Sequence, residues 1–139
     1  MDGREKEIVD SNGGTINKFL GDGFFAYWFD DGDGGERVAN ALAELRAMQA
    51  KGQGPAFRVV LHYGSIALGG NASLGEDSLS GLDVTVAFRM EKIAGGLGCD
   101  MLVSAAVKDR LETRMSFVDL GEHQVDGLGP KGWRFYRPA

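Results

Sequence analysis

Gly13-Gly14-Thr15-Ile16-Asn17-Lys18-Phe19-Leu20-Gly21-Asp22-Gly23-Phe24-Phe25-Ala26-Tyr27-Trp28-Phe29 is the stretch on which the fold turns. Two runs suited to strands, residues 15–20 and 23–29, flank Gly21-Asp22. Both residue types reach backbone angles that a tight antiparallel turn requires, so the segment predicts a hairpin. Aromatic residues on both faces of the second run suit a strand in the middle of a sheet. Upstream, residues 2–11 set Ile8 and Val9 among charges and predict the last turns of a helix that starts ahead of residue 1 and stops at Asn12-Gly13-Gly14. At the hairpin tip, glycines on either side of Asp22 let backbone and carboxylate come close to a phosphate-bound hard cation. The same Gly-Asp-Gly also serves turns for conformational reasons alone, so its meaning depends on the rest of the chain.

Asp33 with Glu36 three residues later has the pattern of a capping box. Val38, Leu42, Leu45 and Met48 then recur at helical spacing until Gly52-Gln53-Gly54-Pro55 ends the run, and this stripe reads as core packing. Phe57, Val59, Leu61 and Tyr63 alternate with polar or smaller neighbours, which predicts a strand continuing towards Leu68. A polar, glycine-rich segment covers residues 69–81. From Leu82 to Leu97, Val86, Met90, Ile93 and Leu97 keep helical spacing, with Gly98 where a C-terminal cap belongs. The remainder predicts a strand at 101–103, a short helix at 104–111, and strands at 116–120 and 133–137. Interleaved strands and helices of this kind make an α+β sandwich in which helices pack on a mostly antiparallel sheet.

Length and composition narrow the functional classes. A chain of 139 residues with 43% hydrophobic and 25% charged side chains fits one globular domain, residues 1–139, that needs neither disulfides nor a structural metal. The lone Cys99 forms no internal bridge and suits a reducing cytoplasm. No apolar run approaches the roughly 20 residues of a membrane-spanning helix, and no signal peptide opens the chain. With 15 basic against 20 acidic side chains, the positive field that polymeric nucleic acid requires is missing.

Besides Asp22, chemistry concentrates on the helix at 82–97. Thr85, Arg89 and Lys92 fall at i, i+4 and i+7, so they share the face away from the apolar stripe. A hydroxyl, a guanidinium and an ammonium together suit a transferring phosphate, whereas the plainer reading is a solvated face with Glu91 nearby. His62 and His123 lack ligand spacing and read as structural. No Walker or dinucleotide-binding fingerprint is present, and no nucleophile, base and orienter set stands out.

Taken in order, these pieces resemble the class III adenylate and guanylate cyclase catalytic domain, of bacterial type. Residues 13–29 resemble its glycine pair, Lys-x-x-Gly-Asp turn and apolar strand. Leu61-His62-Tyr63-Gly64 is similar to its next strand, residues 84–91 to its signature helix, Leu102-Val103-Ser104 to the following strand, and Val118-Asp119-Leu120-Gly121-Glu122-His123 to its closing hairpin. The likeness covers nearly the whole chain from about residue 8. It implies a ferredoxin-like palm core working as a homodimer with two shared active sites, each chain supplying part of each. It also implies conversion of ATP to cyclic AMP and pyrophosphate, by attack of the ribose 3′-hydroxyl on the α-phosphate with two Mg²⁺ or Mn²⁺ ions. On that pattern Asp22 is a metal ligand and Lys18 reads adenine N1. Ser78 accepts from the adenine amine, Arg89 steadies the transferring phosphate, and Thr85 stands where an asparagine orients the ribose.

Three departures accompany the resemblance. No Asp-x-x-Gly-Phe-like segment, which would carry a first metal aspartate, occurs in these residues, and the family's first strand is missing with it. Thr85 replaces an amide by a hydroxyl. Asp126 occupies the position of a lysine that holds the triphosphate, a repulsion unless Lys131 compensates. These departures sustain an alternative: a catalytically degenerate cyclase-like module that binds nucleotide or serves dimerisation and regulation. A diguanylate cyclase is a third reading, but its Gly-Gly-Asp/Glu-Glu-Phe turn is absent.

Overall fold

A computed structural model describes residues 4–20, 23–30, 32, 35–52, 57–64 and 82–139; side chains at 17–20, 23, 24 and 82 are outside that description. The chain divides into two compact units, residues 1–57 and 58–139.

The first unit runs α1 (Arg4–Ser11), β1 (Thr15–Leu20), β2 (Gly23–Tyr27) and α2 (Glu36–Lys51). The glycine stop after α1 forms as expected. Gly13 adopts φ +83°, its N–H bonds Asp10 O at 3.2 Å, and the Gly14 N–H bonds Val9 O at 2.9 Å. Those two bonds satisfy carbonyls that the helix end would otherwise leave open. Gly14 also admits Trp28, since an added Cβ would stand 2.6 Å from the indole. The Trp28 Nε1–H in turn donates to Asn12 O at 3.0 Å, locking the exit of β2 against the helix stop.

β1 and β2 pair antiparallel in the predicted hairpin, with a bulge between Ile16 and Lys18. Among the described residues β2 pairs only with β1, so the expectation of a mid-sheet strand is not met within this unit. On α2, Leu42, Leu45 and Met48 are buried with Ala41, confirming the apolar stripe. The capping box is different from expectation. Gly35, with φ 82°, takes the N-cap position and no side chain caps the helix there; Asp33 itself lies outside the described residues.

The second unit contains β3 (Val59–Leu61), α3 (Leu82–Leu97), β4 (Met101–Ser104), α4 (Ala105–Leu111), β5 (Phe117–Gln124) and β6 (Gly132–Pro138). Its sheet has the order β3-β4-β6-β5, parallel between β3 and β4 and antiparallel elsewhere. A parallel neighbour requires a crossover, and α3 supplies it. β3 ends at Leu61, shorter than the predicted strand, and residues 65–68 lie outside the described set. β5 extends to Gln124, four residues beyond the predicted end, because Gly121 at φ +86° absorbs an irregularity between Asp119 and Glu122 and lets pairing with β6 resume.

The core of this unit is Val86, Met90, Ala94, Leu102, Val125 and Phe135. Three of these residues come from one stripe of α3. Full burial of Met90, Leu102 or Phe135 is worth on the order of 1.5–3 kcal/mol each, which fixes the rotation of α3 about its axis. The helix closes as α1 does: the Gly98 N–H bonds Gly95 O at 3.2 Å and the Cys99 N–H bonds Ala94 O at 2.9 Å. The fold class is α+β, as the sequence predicts.

Candidate functional site

With Val86, Met90 and Ala94 turned inward, helical geometry places Thr85, Arg89 and Lys92 on the outer side of α3. Thr85 and Lys92 are exposed and Arg89 is half-buried. A shallow depression of about 320 Å³ is lined by Thr85, Phe88, Arg89, Glu91 and Lys92. Phe88, 44% exposed, is a large apolar side chain among these polar groups.

Glu91 lies on this face, as the plain sequence reading had it, and pairs with a residue outside the depression. Its Oε1 accepts from Arg58 Nη2 at 2.8 Å and Nε at 3.2 Å, so its charge is already matched by a cation from the start of β3. Arg89 and Lys92 are therefore left as the net charge of the depression, which favours an anionic ligand such as a phosphate. The Arg89 guanidinium also reaches the β5–β6 turn, where its Nη2 stands 3.8 Å from the position a Cβ on Gly127 would take. Asp126, the acidic residue at the lysine position, is exposed in that turn. The Nζ of Lys131 lies over the Trp133 ring, 5.8 Å from the centroid.

Thr85 and Arg89 are thus brought together. The backbone of Lys18 lies on β1, opposite Phe25 and next to the bulge, while its side chain is outside the description. Asp22 and Ser78 lie outside the described residues. Among the described residues, no group of three or more His, Cys, Asp or Glu side chains could hold a metal ion.

Both histidines are held by protein groups, as the sequence suggested. His123 Nε2 is 3.0 Å from Leu120 O and its ring packs on Phe135. His62 is engaged at both nitrogens, Nδ1 2.7 Å from Ser104 Oγ and Nε2 2.7 Å from Asp83 Oδ1. Sequence reading missed this set. Its members are 21 and 42 residues apart, and no local pattern links a strand exit, a helix start and a strand end across such spans.

No family model and no curated protein sequence matches the chain. Solved structures do. An adenylyl cyclase from P. aeruginosa superposes with TM-score 0.69 at 20% identity, over 99% of this chain and 77% of that one. An adenylate/guanylate cyclase/hydrolase from Silicibacter pomeroyi gives 0.69 at 24% identity, over 96% and 76%. A bacterial light-regulated adenylyl cyclase gives 0.66 at 24% identity; the chain matches over 96% of its own length but spans only 41% of that protein. The chain has the class III nucleotide cyclase fold. No helix of the described residues is long and apolar enough to cross a membrane.

Proposed function

We propose that the protein is a nucleotide cyclase that converts ATP to cyclic AMP and pyrophosphate in a homodimer with shared sites. The observation that carries this reading is the outer face of α3, where Thr85 and Arg89 stand together on a cyclase fold while Arg58 removes Glu91 from the charge balance. Arg89 presents a planar fork of donors, which suits the charge that builds on a transferring phosphate. Thr85 offers one hydroxyl for the ribose. Lys18 donates to adenine N1, which accepts a hydrogen bond where guanine N1 carries a proton, and Ser78 accepts from the amine.

Asp22 fits a divalent cation by its donor chemistry, since a carboxylate between two glycines in the sequence offers a hard oxygen ligand. Bound there, Mg²⁺ or Mn²⁺ would supply neutralisation of the triphosphate and pyrophosphate charge. Asp22 comes from one copy and Arg89 from the other in this reading, so neither protomer completes a site alone.

A second reading is a cyclase-like module without turnover, serving nucleotide binding or dimerisation. The Arg89 reach to the Asp126–Gly127 turn favours it, because a carboxylate there repels the phosphates that a lysine would attract. The deciding experiment is incubation of the folded protein with ATP or GTP and Mn²⁺, with product separation. Cyclic AMP that disappears in Asp22→Asn supports the enzyme; a folded dimer that forms no product sinks it in favour of the module.

A further inference from the structure

We infer that His62 is a positioning residue for Arg89: through Asp83 it clamps the first turn of α3, and with it the Thr85–Arg89 face. The functional half of this inference rests on the proposed cyclase activity.

The His62 side chain is only 6% exposed, and both of its ring nitrogens are committed. Asp83 is the second residue of α3, two positions ahead of Thr85 and six ahead of Arg89. The first amides of a helix lack intrahelical acceptors, so its opening turn frays unless something outside the helix holds it. Farther along, Val86, Met90 and Ala94 are held by the core and Glu91 by Arg58. At the N-terminal end Val84 is buried, and the hydrogen bond between His62 Nε2 and Asp83 Oδ1 adds a polar anchor to the same turn.

Two neighbours are shaped around this contact. Ser104 occupies the N-cap of α4, where a serine ordinarily closes the helix's first turn, yet its side chain makes no capping bond. The hydroxyl is given to His62 instead. Gly64, just beyond β3, leaves the space that the Asp83 carboxylate fills, since a Cβ there would lie within 2.5 Å of both carboxylate oxygens. The strand exit thus supplies a hydrogen-bonding partner and makes room for the same side chain.

The trio has the residue types of a hydrolytic set but cannot act as one. Ser104 is 2% exposed, so no acyl group reaches its oxygen, and the imidazole nitrogen facing it is Nδ1 rather than Nε2. What the trio can do is hold geometry. Displacing a phosphate-binding group by about 1 Å is enough to cost on the order of a hundredfold in rate.

The test uses the full chain, with His62→Phe as the main variant. Amide hydrogen exchange at residues 86–90 should rise about tenfold while residues 94–97 and α4 keep wild-type rates. With ATP, kcat should fall about tenfold with KM moved less than about threefold, and in an Arg89→Lys background the same change should cost less than about twofold. His62→Gln, whose amide N–H still donates to Asp83, should recover part of kcat. If His62→Phe does not fold, Asp83→Asn reads the same contact with its shape preserved. Unchanged exchange at 86–90 overturns the inference. So does a uniform rise in exchange with a kcat loss that multiplies fully with Arg89→Lys, because that describes an ordinary core residue. A wild type without turnover defeats the functional reading separately, and the exchange measurement then decides the clamp by itself.

Discussion

Arg58 Nη2 lies 2.8 Å from Glu91 Oε1, and the same guanidinium passes over Gly95, so the start of β3 is tied to the middle of α3. Both side chains are about half exposed, which limits the pair to a few tenths of a kcal/mol up to about 1 kcal/mol. Its larger consequence is electrostatic, because Glu91 is withdrawn from the face that Arg89 and Lys92 share.

Gly96→Ala is expected to stabilise the protein by roughly 0.5–1 kcal/mol, since the added methyl meets open space and glycine is a poor helix former. Gly95→Ala should gain less, because its Cβ would come within 3.3 Å of the Arg58 guanidinium. Urea unfolding of the two variants compares them directly, and a larger gain at position 95 would contradict the packing described.

Gly14→Ala should destabilise by about 1–3 kcal/mol, the usual penalty for forcing a methyl into filled space. Here the methyl would meet the Trp28 ring and Val9 Cγ1 at 2.6–2.8 Å, and displacing Trp28 breaks its bond to Asn12 O. Tryptophan emission should shift together with the unfolding midpoint; an unmoved spectrum would argue against the contact.

Acid should selectively remove one surface contact. The Gly121 N–H first, and then the Arg134 guanidinium, hold the Asp119 carboxyl below its ordinary 3.8. A depressed carboxyl contributes stability that is complete above the unfolded value and is lost as pH falls through the folded one. Asp119→Asn should therefore be less stable than wild type at neutral pH, with the difference shrinking below about pH 3.8. Thermal unfolding across that range checks it, and a difference that grows towards acid would reverse the sign.

Shared sites predict complementation. Asp22→Asn and Arg89→Ala proteins, each inactive alone, should regain cyclase activity when mixed, because one of the two sites in a mixed dimer then contains neither substitution. A mixture as inactive as its components would rule out the shared arrangement.

Asp126→Lys should tighten ATP binding on the order of tenfold by exchanging a repulsion for an attraction, with the gain fading at high salt. Titration calorimetry at two ionic strengths would detect it. Unchanged affinity would place residue 126 away from the triphosphate.

Local chemistry along the chain is enough to specify the elements. The stops at Gly13 and Gly98, the stripe of Val86 and Met90, the hairpin across residues 15–27 and the α+β class were all legible, because each depends on backbone chemistry or periodicity within a few residues. From the pairing of Thr85 with Arg89 one helical turn apart, the polar face could be read for the same reason. Which charges on that face remain available, and what holds it in place, emerge only once the elements pack. Arg58 and Glu91 are 33 residues apart, and His62 meets Asp83 and Ser104 because β3 and β4 run parallel beneath α3. Such contacts arise from the packing of whole elements, so no spacing along the chain announces them.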